Sequence, residues 1–321
     1  STQGVSSAAS DVYKRQDGTI AELKLTQSAP AEHPVLRPHR LAVGFYNEDA
    51  ATGKIVRTEQ FELDVDGETT IVEAAAGKPR PAFVLVNDDD LTYTKIRFDA
   101  ESQAFAEANL HRFDDALARA VTWLAFWDMT RDGEFPAERF VDMTLRLLAT
   151  ETESTTFRYA LACMSTTAHH YVAPARRDDV LRHVAAELWT LANAAEAGSD
   201  TQFQLVTAYL GYGEEGDAAF AANAHGLLDG TVRLEGLEID NNFTWTIVQA
   251  LTSVNEMTND DVDAQLAKKE TTENREFAYG ARASMATAEA KEWAWDQALH
   301  NDELTNSQLE AVARGLSLIH I

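Results

Sequence analysis

The hydrophobic pattern of this 321-residue chain changes its period once, in the stretch from Phe83 to Asp99. Before this stretch, apolar residues alternate with polar ones, which is typical of half-buried strands. After Asp99 they recur every three or four residues, which is typical of amphipathic helices. One change of this kind predicts an α+β multidomain chain, in which a small antiparallel β-sandwich is followed by an all-α helical solenoid.

The first part of the chain predicts six or seven short strands, including a β-meander between His39 and Val65. Asp66–Gly67 predicts a tight hairpin turn, because a type I′ turn needs positive φ values that Asp and Gly tolerate. A second hairpin is predicted between Phe83–Val86 and Leu91–Phe98, joined by the polar residues Asn87–Asp90. This second hairpin would be the last element of the sandwich.

The second part of the chain predicts about ten to twelve amphipathic helices joined by short polar loops. The first of them is predicted to bury Phe113, Leu117, Val121 and Leu124, which fall at helical spacing, and the last to bury Trp293 and Leu299. Helical pairs with no strand between them are typical of α-solenoids, in which each pair buries its face on its neighbours.

Both ends of the chain are interpreted as adapter sequence that is not native to the protein. Within residues 1–16, the run Ser6–Gln16 resembles the translation of a transposon-based sequencing adapter, and residues 316–321 resemble the reverse complement of the same transposon end. Segments of this origin are excluded from fold reasoning. The sequence therefore predicts a β-sandwich domain over residues 17–98 and an α-helical C-terminal cap domain over residues 99–315.

The composition excludes several classes of partner. A net charge of −25 repels phosphate backbones, so we expect no nucleic-acid partner. Cys163 is the only cysteine, which excludes an internal disulfide and a multi-thiolate zinc site and fits a cytoplasmic protein. No apolar run approaches the roughly 20 residues that a membrane helix needs, so we expect no membrane partner.

Three short motifs suggest chemistry, and each has a simpler local explanation. Gly211–Gly216 fits the dinucleotide-binding glycine pattern, but it follows a helical run instead of a strand and contains two glutamates. The consecutive acids Asp88–Asp90 cannot converge on one cation without a tailored loop, so we expect a solvated turn or an interdomain contact. His169 and His170 point about 100° apart on a helix and are poorly placed to bind one ion.

The signatures of a hydrolytic active site are absent from the sequence. None of the nine histidines is followed by a glutamate, so the His-Glu-x-x-His zinc motif does not occur. There is no Gly-x-Ser-x-Gly elbow and no phosphate-binding loop. Paired acids such as Asp114 with Asp115, or Asp260 with Asp261, fall where Asp caps helices. We therefore assign no catalytic residue and no metal ligand.

Five stretches, taken in order, resemble the C-terminal half of the M1 zinc aminopeptidases of the actinobacterial aminopeptidase N type. They are Leu36–Tyr46, Leu85–Ile96, Trp127–Asp132, Leu227–Gly230 and Thr287–Glu292 with Trp295. The resemblance implies a β-sandwich that joins a thermolysin-like catalytic domain to a helical cap of the ERAP1-like C-terminal type. In the family, this cap closes over the zinc site and restricts entry to free peptide N-termini.

The resemblance implies a non-catalytic C-terminal fragment of a zinc-dependent aminopeptidase. Zinc would belong to the parent enzyme and none to this fragment, and the partners would be a peptide substrate and the catalytic domain of the same chain. Whether this chain is itself an enzyme stays uncertain. Arg275 and Arg282 are candidate substrate contacts, because Arg binds carboxylates in a bidentate fork. The alternatives are a stand-alone β-plus-α-solenoid scaffold for protein–protein interaction and a hydrolase that uses paired carboxylates.

Overall fold

The computed structural model describes residues 7–213 and 219–316, and the described chain falls into two compact units that divide between Val172 and Ala173. The first unit holds seven strands and four α-helices among the described residues, and the second holds eight α-helices. The predicted order of strands followed by helices is confirmed. The domain boundaries at residues 98 and 315 remain predictions.

Seven strands form two sheets in the first unit. The strands are β1 (Ser7–Lys14), β2 (Ile20–Ser28), β3 (His39–Glu48), β4 (Ile55–Val65), β5 (Thr69–Ile71), β6 (Phe83–Asp88) and β7 (Lys95–Arg97). One sheet has the order β5-β2-β1-β7 and the other has the order β4-β3-β6. Every pair is antiparallel except β1 with β7, which is parallel.

Strand β1 lies inside residues 1–16, which we interpret as adapter-derived. Its backbone pairs with β2 along nearly its whole length, and Ser7–Ala9 pairs with Lys95–Arg97 of β7. Sheet hydrogen bonds are made by backbone groups that every residue except proline carries. The pairing therefore does not test the origin of these residues, and the adapter interpretation stays a prediction.

Two of the predicted hairpins are wrong. Strand β6 pairs with β3 whereas β7 pairs with β1, so the chain crosses from one sheet to the other between them. Asn87, Asp89 and Asp90 make this crossing with φ values of 60°, 64° and 51°, in the left-handed region that Asn and Asp tolerate. Strands β4 and β5 likewise lie in different sheets. Gly67 between them does have the positive φ, 77°, that a tight turn needs.

Strand β3 is buried on both faces. The six residues from Leu41 to Tyr46 are all buried. A chain of aromatic contacts then leads from the sheet to helix α2. Tyr46 and Phe83 both contact Phe113, Phe83 contacts Phe98 at 5.4 Å, and Phe98 contacts Phe126 of α2 at 5.3 Å. These contacts join the strands and the first helices into one core.

Twelve α-helices follow among the described residues. They are α1 (Ala100–Asn109), α2 (Ala116–Arg131), α3 (Ala137–Leu148), α4 (Ser154–Thr166), α5 (Pro174–Ala194), α6 (Asp200–Gly211), α7 (Phe220–Asp229), α8 (Asn241–Ser253), α9 (Asn259–Lys268), α10 (Thr272–Ser284), α11 (Ala288–His300) and α12 (Asn306–Leu316). A π-helical turn, Thr167–Tyr171, extends α4. No described helix is both long and apolar enough to span a membrane.

The helical spacing of apolar residues predicted the helices correctly, but it predicted wrongly which of their side chains are buried. Phe113 is buried but lies before α2 begins, while Leu117 and Leu124 on α2 are 45% and 39% exposed. Helix α2 buries ten residues instead, including Trp123 and Phe126. On α11, Leu299 is 57% exposed. These apolar side chains were predicted to be buried, and the structure leaves them at the surface.

Helices α10 and α12 pack closely in the second unit because glycine lies where they meet. A Cβ atom at Gly315 would lie 2.5 Å from the carbonyl oxygen of Gly280 and 2.8 Å from Cβ of Ala283. Any side chain at position 315 would therefore push the two helices apart. The superhelical stacking that defines a solenoid stays a prediction.

Candidate functional site

The two arginines proposed to contact substrate lie on one stripe of helix α10. Arg275 and Arg282 are seven residues apart, so they project from the same side of the helix, with Tyr279 between them. Tyr279 stacks on Trp293 of α11, with ring centroids 5.9 Å apart and an interplanar angle of 18°. Thr271 caps the start of α10 by accepting a hydrogen bond from the backbone N–H of Asn274.

Both arginines already have carboxylate partners. Arg275 donates to Glu270 at 2.7 Å, and both side chains are more than half exposed. Arg282 pairs with Asp263 of α9, and its own side chain is only 22% exposed. A peptide carboxylate would therefore have to compete with an existing partner at either position. Their assignment as substrate contacts stays a prediction.

A cation that the sequence did not single out holds the ends of two helices. The ammonium group of Lys291 on α11 donates to the carbonyl oxygens of Ala283 at 2.8 Å and Gly315 at 3.1 Å. These carbonyls belong to the last turns of α10 and α12, where backbone acceptors lack helical partners and the helix dipole is negative. Lys291 thus joins three helices. The sequence pointed to Lys291 only through its position in Thr287–Glu292, one of the stretches that carry the family resemblance.

Within the acidic stretch Asp88–Asp90, the prediction of a solvated turn is wrong for Asp88, which is 1% exposed, whereas Asp89 is partly exposed and Asp90 is exposed. Tyr46 donates its hydroxyl to Asp88 at 2.6 Å, and Arg57 and Gln60 donate to the other carboxylate oxygen at 2.9 and 3.1 Å. The sequence could not show this burial, because the partners come from strands β3 and β4, 28 to 42 residues away.

Residues around Asp88 complete a hydrogen-bonded network. Arg57 and Gln60 also donate to Asp89, and these bonds hold the pKa of Asp89 below its usual value, with Gln60 the larger cause. Burial, followed by the hydrogen bond to Asp88, raises the pKa of the Tyr46 hydroxyl. Because the carboxylates of Asp88 and Asp89 already accept hydrogen bonds from side chains of strands β3 and β4, the network stabilises the loop that carries them.

A second buried ion pair lies among the helices of the first unit. Arg119 donates to both carboxylate oxygens of Glu151 at 2.8 Å and also to the carbonyl of Phe113 at 2.7 Å. Burial acts to raise the pKa of Glu151. The hydrogen bonds from Arg119 and from the backbone N–H groups of Glu153 and Thr152 outweigh it, so the pKa lies below the usual value.

The remaining sequence motifs have structural explanations. His169 and His170 lie on the π-helical turn with ring centroids 6.2 Å apart, and His169 contacts the carbonyl of Ser165. Cys163 is buried, and burial raises the pKa of its thiol to about 11. Of the glycine-rich stretch, Gly211 ends helix α6, and residues 214–216 lie outside the described residues.

The described residues do not fit a zinc site. Over residues 7–213 and 219–316, no three His, Cys, Asp or Glu side chains are grouped so that they could hold a metal ion. A catalytic zinc needs three protein ligands and an open position.

Comparison with known proteins gives two findings. The model of the ERAP1-like C-terminal domain matches residues 83–319, which is most of the chain. The chain is also 35% identical over 320 residues to a protein of Streptomyces lividans named Aminopeptidase N. That similarity covers 98% of this chain and 37% of the relative, so the chain spans little more than a third of the relative's length.

Proposed function

Because the chain belongs to the ERAP1-like C-terminal domain family, we propose that it is the non-catalytic C-terminal part of a zinc-dependent aminopeptidase that removes N-terminal residues from peptides. The match to the family model over residues 83–319 carries this proposal. The similarity to Aminopeptidase N over 98% of the chain supports the reaction.

The proposed roles of the two parts follow from the same family. The strands link the helices to a catalytic domain elsewhere in the parent chain, and the helices form a lid over the active site. That catalytic domain would hold the zinc ion, which would supply the activation of water for attack on the first peptide bond. A peptide and the catalytic domain are the partners. A cytoplasmic location is part of the proposal, and the single buried thiol of Cys163 supports it.

The first experiment tests whether this chain acts alone. The purified 321-residue chain is incubated with an aminoacyl p-nitroanilide, with and without added zinc. We expect no turnover above the buffer rate in either case. Chelator-sensitive turnover would contradict the non-catalytic assignment.

Extending the reading frame upstream of Asp17 provides a second check. It should reveal a His-Glu-x-x-His motif, whereas a start codon near Asp17 would favour the scaffold.

The second experiment tests the lid. In the parent enzyme, the segment corresponding to residues 173–315 is removed, and kcat/KM is measured on a dipeptide and on the free N-terminus of a folded protein. A lid excludes bulky substrates, so its removal should leave dipeptide cleavage and should allow cleavage of the folded protein. An unchanged ratio of the two rates in a folded, zinc-loaded variant would reject the lid.

A further inference from the structure

An aromatic cluster on the first unit carries a cation at the protein surface. Trp123 and Trp127 of α2 pack on buried Phe140, each with a ring-centroid distance of 5.6 Å. Tyr159 of α4 contacts Trp123 at 5.8 Å, and Tyr171 of the π-helical turn stacks on Trp127 at 5.9 Å. The two tyrosines are 49% and 44% exposed. The cluster thus has a buried base and an exposed aromatic surface.

The cation of this surface is Arg131. Its guanidinium lies over the ring of Trp127, 5.8 Å from the centroid. Its closest carboxylate is Asp128, at 3.8 Å, which is beyond hydrogen-bonding distance. Arg131 makes no hydrogen bond to any described residue, in contrast to Arg275 and Arg282. Its five donors are open to a ligand.

The side chains around Arg131 are largely apolar, and the two acids beside it are little available to it. Asp128 is 26% exposed, and Asp132 is already bound by Lys95 and Arg97. Leu124, seven residues before Arg131 on α2, is exposed although the sequence pattern predicts it to be buried. Helix α4 carries a single charged residue, Arg158, which directly precedes Tyr159 and forms no ion pair with the described residues. Such a surface is unusual in a chain whose net charge is −25, and it is complementary to a ligand that is acidic and apolar.

We propose that Leu124, Trp127, Arg131, Tyr159 and Tyr171 form a docking surface for an acidic polypeptide segment that places an apolar side chain beside a carboxylate. The carboxylate binds the fork of Arg131, because charge-assisted bidentate bonds to Arg are strong and directional. The apolar side chain packs on the tyrosines, since aromatic residues supply contact area at low entropic cost. Arg158 offers a charge to a second acid, which favours an internal segment over a chain end.

The test uses the whole 321-residue chain and three labelled heptapeptides. The first is capped at both ends and has two glutamates flanking a phenylalanine and a leucine. The second is identical except that glutamine replaces both glutamates. The third carries glutamine and ends in a free carboxylate. Fluorescence anisotropy should show binding of the first peptide, at least tenfold weaker binding of the other two, and weakening as salt increases.

Variants place the binding on this surface. Arg131→Gln should weaken binding of the first peptide at least tenfold, and Arg131→Lys should recover part of it because charge returns without the fork. Tyr171→Ala should weaken binding of both capped peptides. The matched controls are Arg314→Gln and Tyr93→Ala, which remove an arginine 72% exposed and a tyrosine 82% exposed at other sites and should leave binding unchanged.

Four outcomes would overturn the proposal. They are no binding of the first peptide at millimolar concentration, equal binding of the glutamine peptide, tightest binding of the peptide with the free carboxylate, and full affinity in a folded Arg131→Gln variant. Circular dichroism and Tm establish folding for each variant. If Arg131→Gln does not fold, Tyr171→Ala and the three peptides still decide the question. Sedimentation of the chain alone distinguishes a second copy as the occupant, which would also reject the proposal.

Discussion

The two units of the chain use charge in different ways. In the first unit, Asp88 and Glu151 are almost wholly buried, and each is held by an arginine that is distant in sequence. In the second unit, the pairs of Arg275 and Arg282 each include an exposed carboxylate. Their partners are close in the chain: Glu270 lies in the loop before α10, and Asp263 lies on the preceding helix, α9. The first unit therefore depends on a few long-range ionic contacts, whereas the second depends on close packing of small residues and on helix ends.

This difference explains why two candidate arginines on α10 were visible in the sequence and the buried pairs were not. An exposed arginine in an acidic helical region stands out by its type alone. A buried pair is defined by the partner, which no local pattern reveals. The difference also sets the order of the effects that substitutions should have.

The largest loss is expected at the buried pair of Arg119 and Glu151. Replacing Arg119 with Met leaves Glu151 buried without its partner, which should cost about 3–5 kcal/mol of unfolding free energy. The double variant Arg119→Met/Glu151→Leu should recover part of this loss, because no uncompensated charge remains. Urea unfolding measures all three chains. The control is Arg314→Gln, which removes an exposed pair and should have little effect.

The same pair should make stability depend on pH in the acid range. The pKa of Glu151 is lower in the folded chain than its usual value of 4.5, so its stabilisation is present above that value and is lost as pH falls through the folded pKa. The stability difference between the native chain and Glu151→Gln should therefore shrink below about pH 4.5. A constant difference between pH 7 and pH 3 would show that the charge of Glu151 does not stabilise the fold.

An intermediate loss is expected where α10 and α12 meet. Gly315→Ala places a methyl group 2.5 Å from a backbone oxygen, and the resulting displacement should cost about 1–3 kcal/mol. Gly211→Ala is the matched control, because nothing lies within 4 Å of the added atom. Thermal unfolding should show a lower Tm for the first variant and none of this loss for the second. Equal Tm values would mean that the two helices separate without cost.

Removal of the Lys291 ammonium should have a smaller effect. Lys291→Met keeps much of the side chain but leaves helix-end carbonyls without a charged donor, which should cost about 1–2 kcal/mol. Lys268→Met is the matched control, since Lys268 contacts only the exposed side chain of Gln265 among the hydrogen bonds described. Hydrogen exchange at the last turns of α10 and α12 should increase in Lys291→Met alone.

The smallest effect on stability is expected at Arg275. Its pair with Glu270 is exposed, so Arg275→Gln should change the unfolding free energy by at most about 0.5 kcal/mol. In the parent enzyme the same substitution should raise KM for long peptides, if Arg275 contacts substrate. Unchanged stability together with unchanged KM would remove Arg275 as a candidate. Glu303→Gln, a surface charge elsewhere, serves as the control.

The sequence predicted most of what depends on neighbours along the chain. The strands from β2 to β4 and the helices after Asp99 follow from hydrophobic period and turn residues. The predicted pairing of β6 with β7 was wrong, because a turn of polar residues looks alike whether the chain reverses within a sheet or crosses to another. The exposure of Leu117 and Leu124 was missed because helical spacing defines a stripe and tertiary packing decides which stripe is buried.

The candidate site was predictable only in part. Residue type selected Arg275 and Arg282, but their carboxylate partners come from the fold. Arg131 lies in the quoted stretch Trp127–Asp132, yet nothing in that stretch shows that its guanidinium lies over Trp127 with open donors. Phe140, on which Trp127 packs, lies on another helix, α3. The residue type alone shows that an arginine can bind a carboxylate. Only the structure shows whether its donors are already bound to another group.

Gly44 and Asp88 have a consequence for how sequences of this kind can vary. A Cβ atom at position 44 would lie 2.3 Å from the Asp88 carboxylate, so the acid fits only because residue 44 has no side chain. Positions 44 and 88, far apart in the chain, should therefore vary together. A relative with alanine at position 44 should carry a smaller or uncharged residue at position 88. Covariation of this kind would identify Asp88 as an internal brace in any related sequence, without a structure.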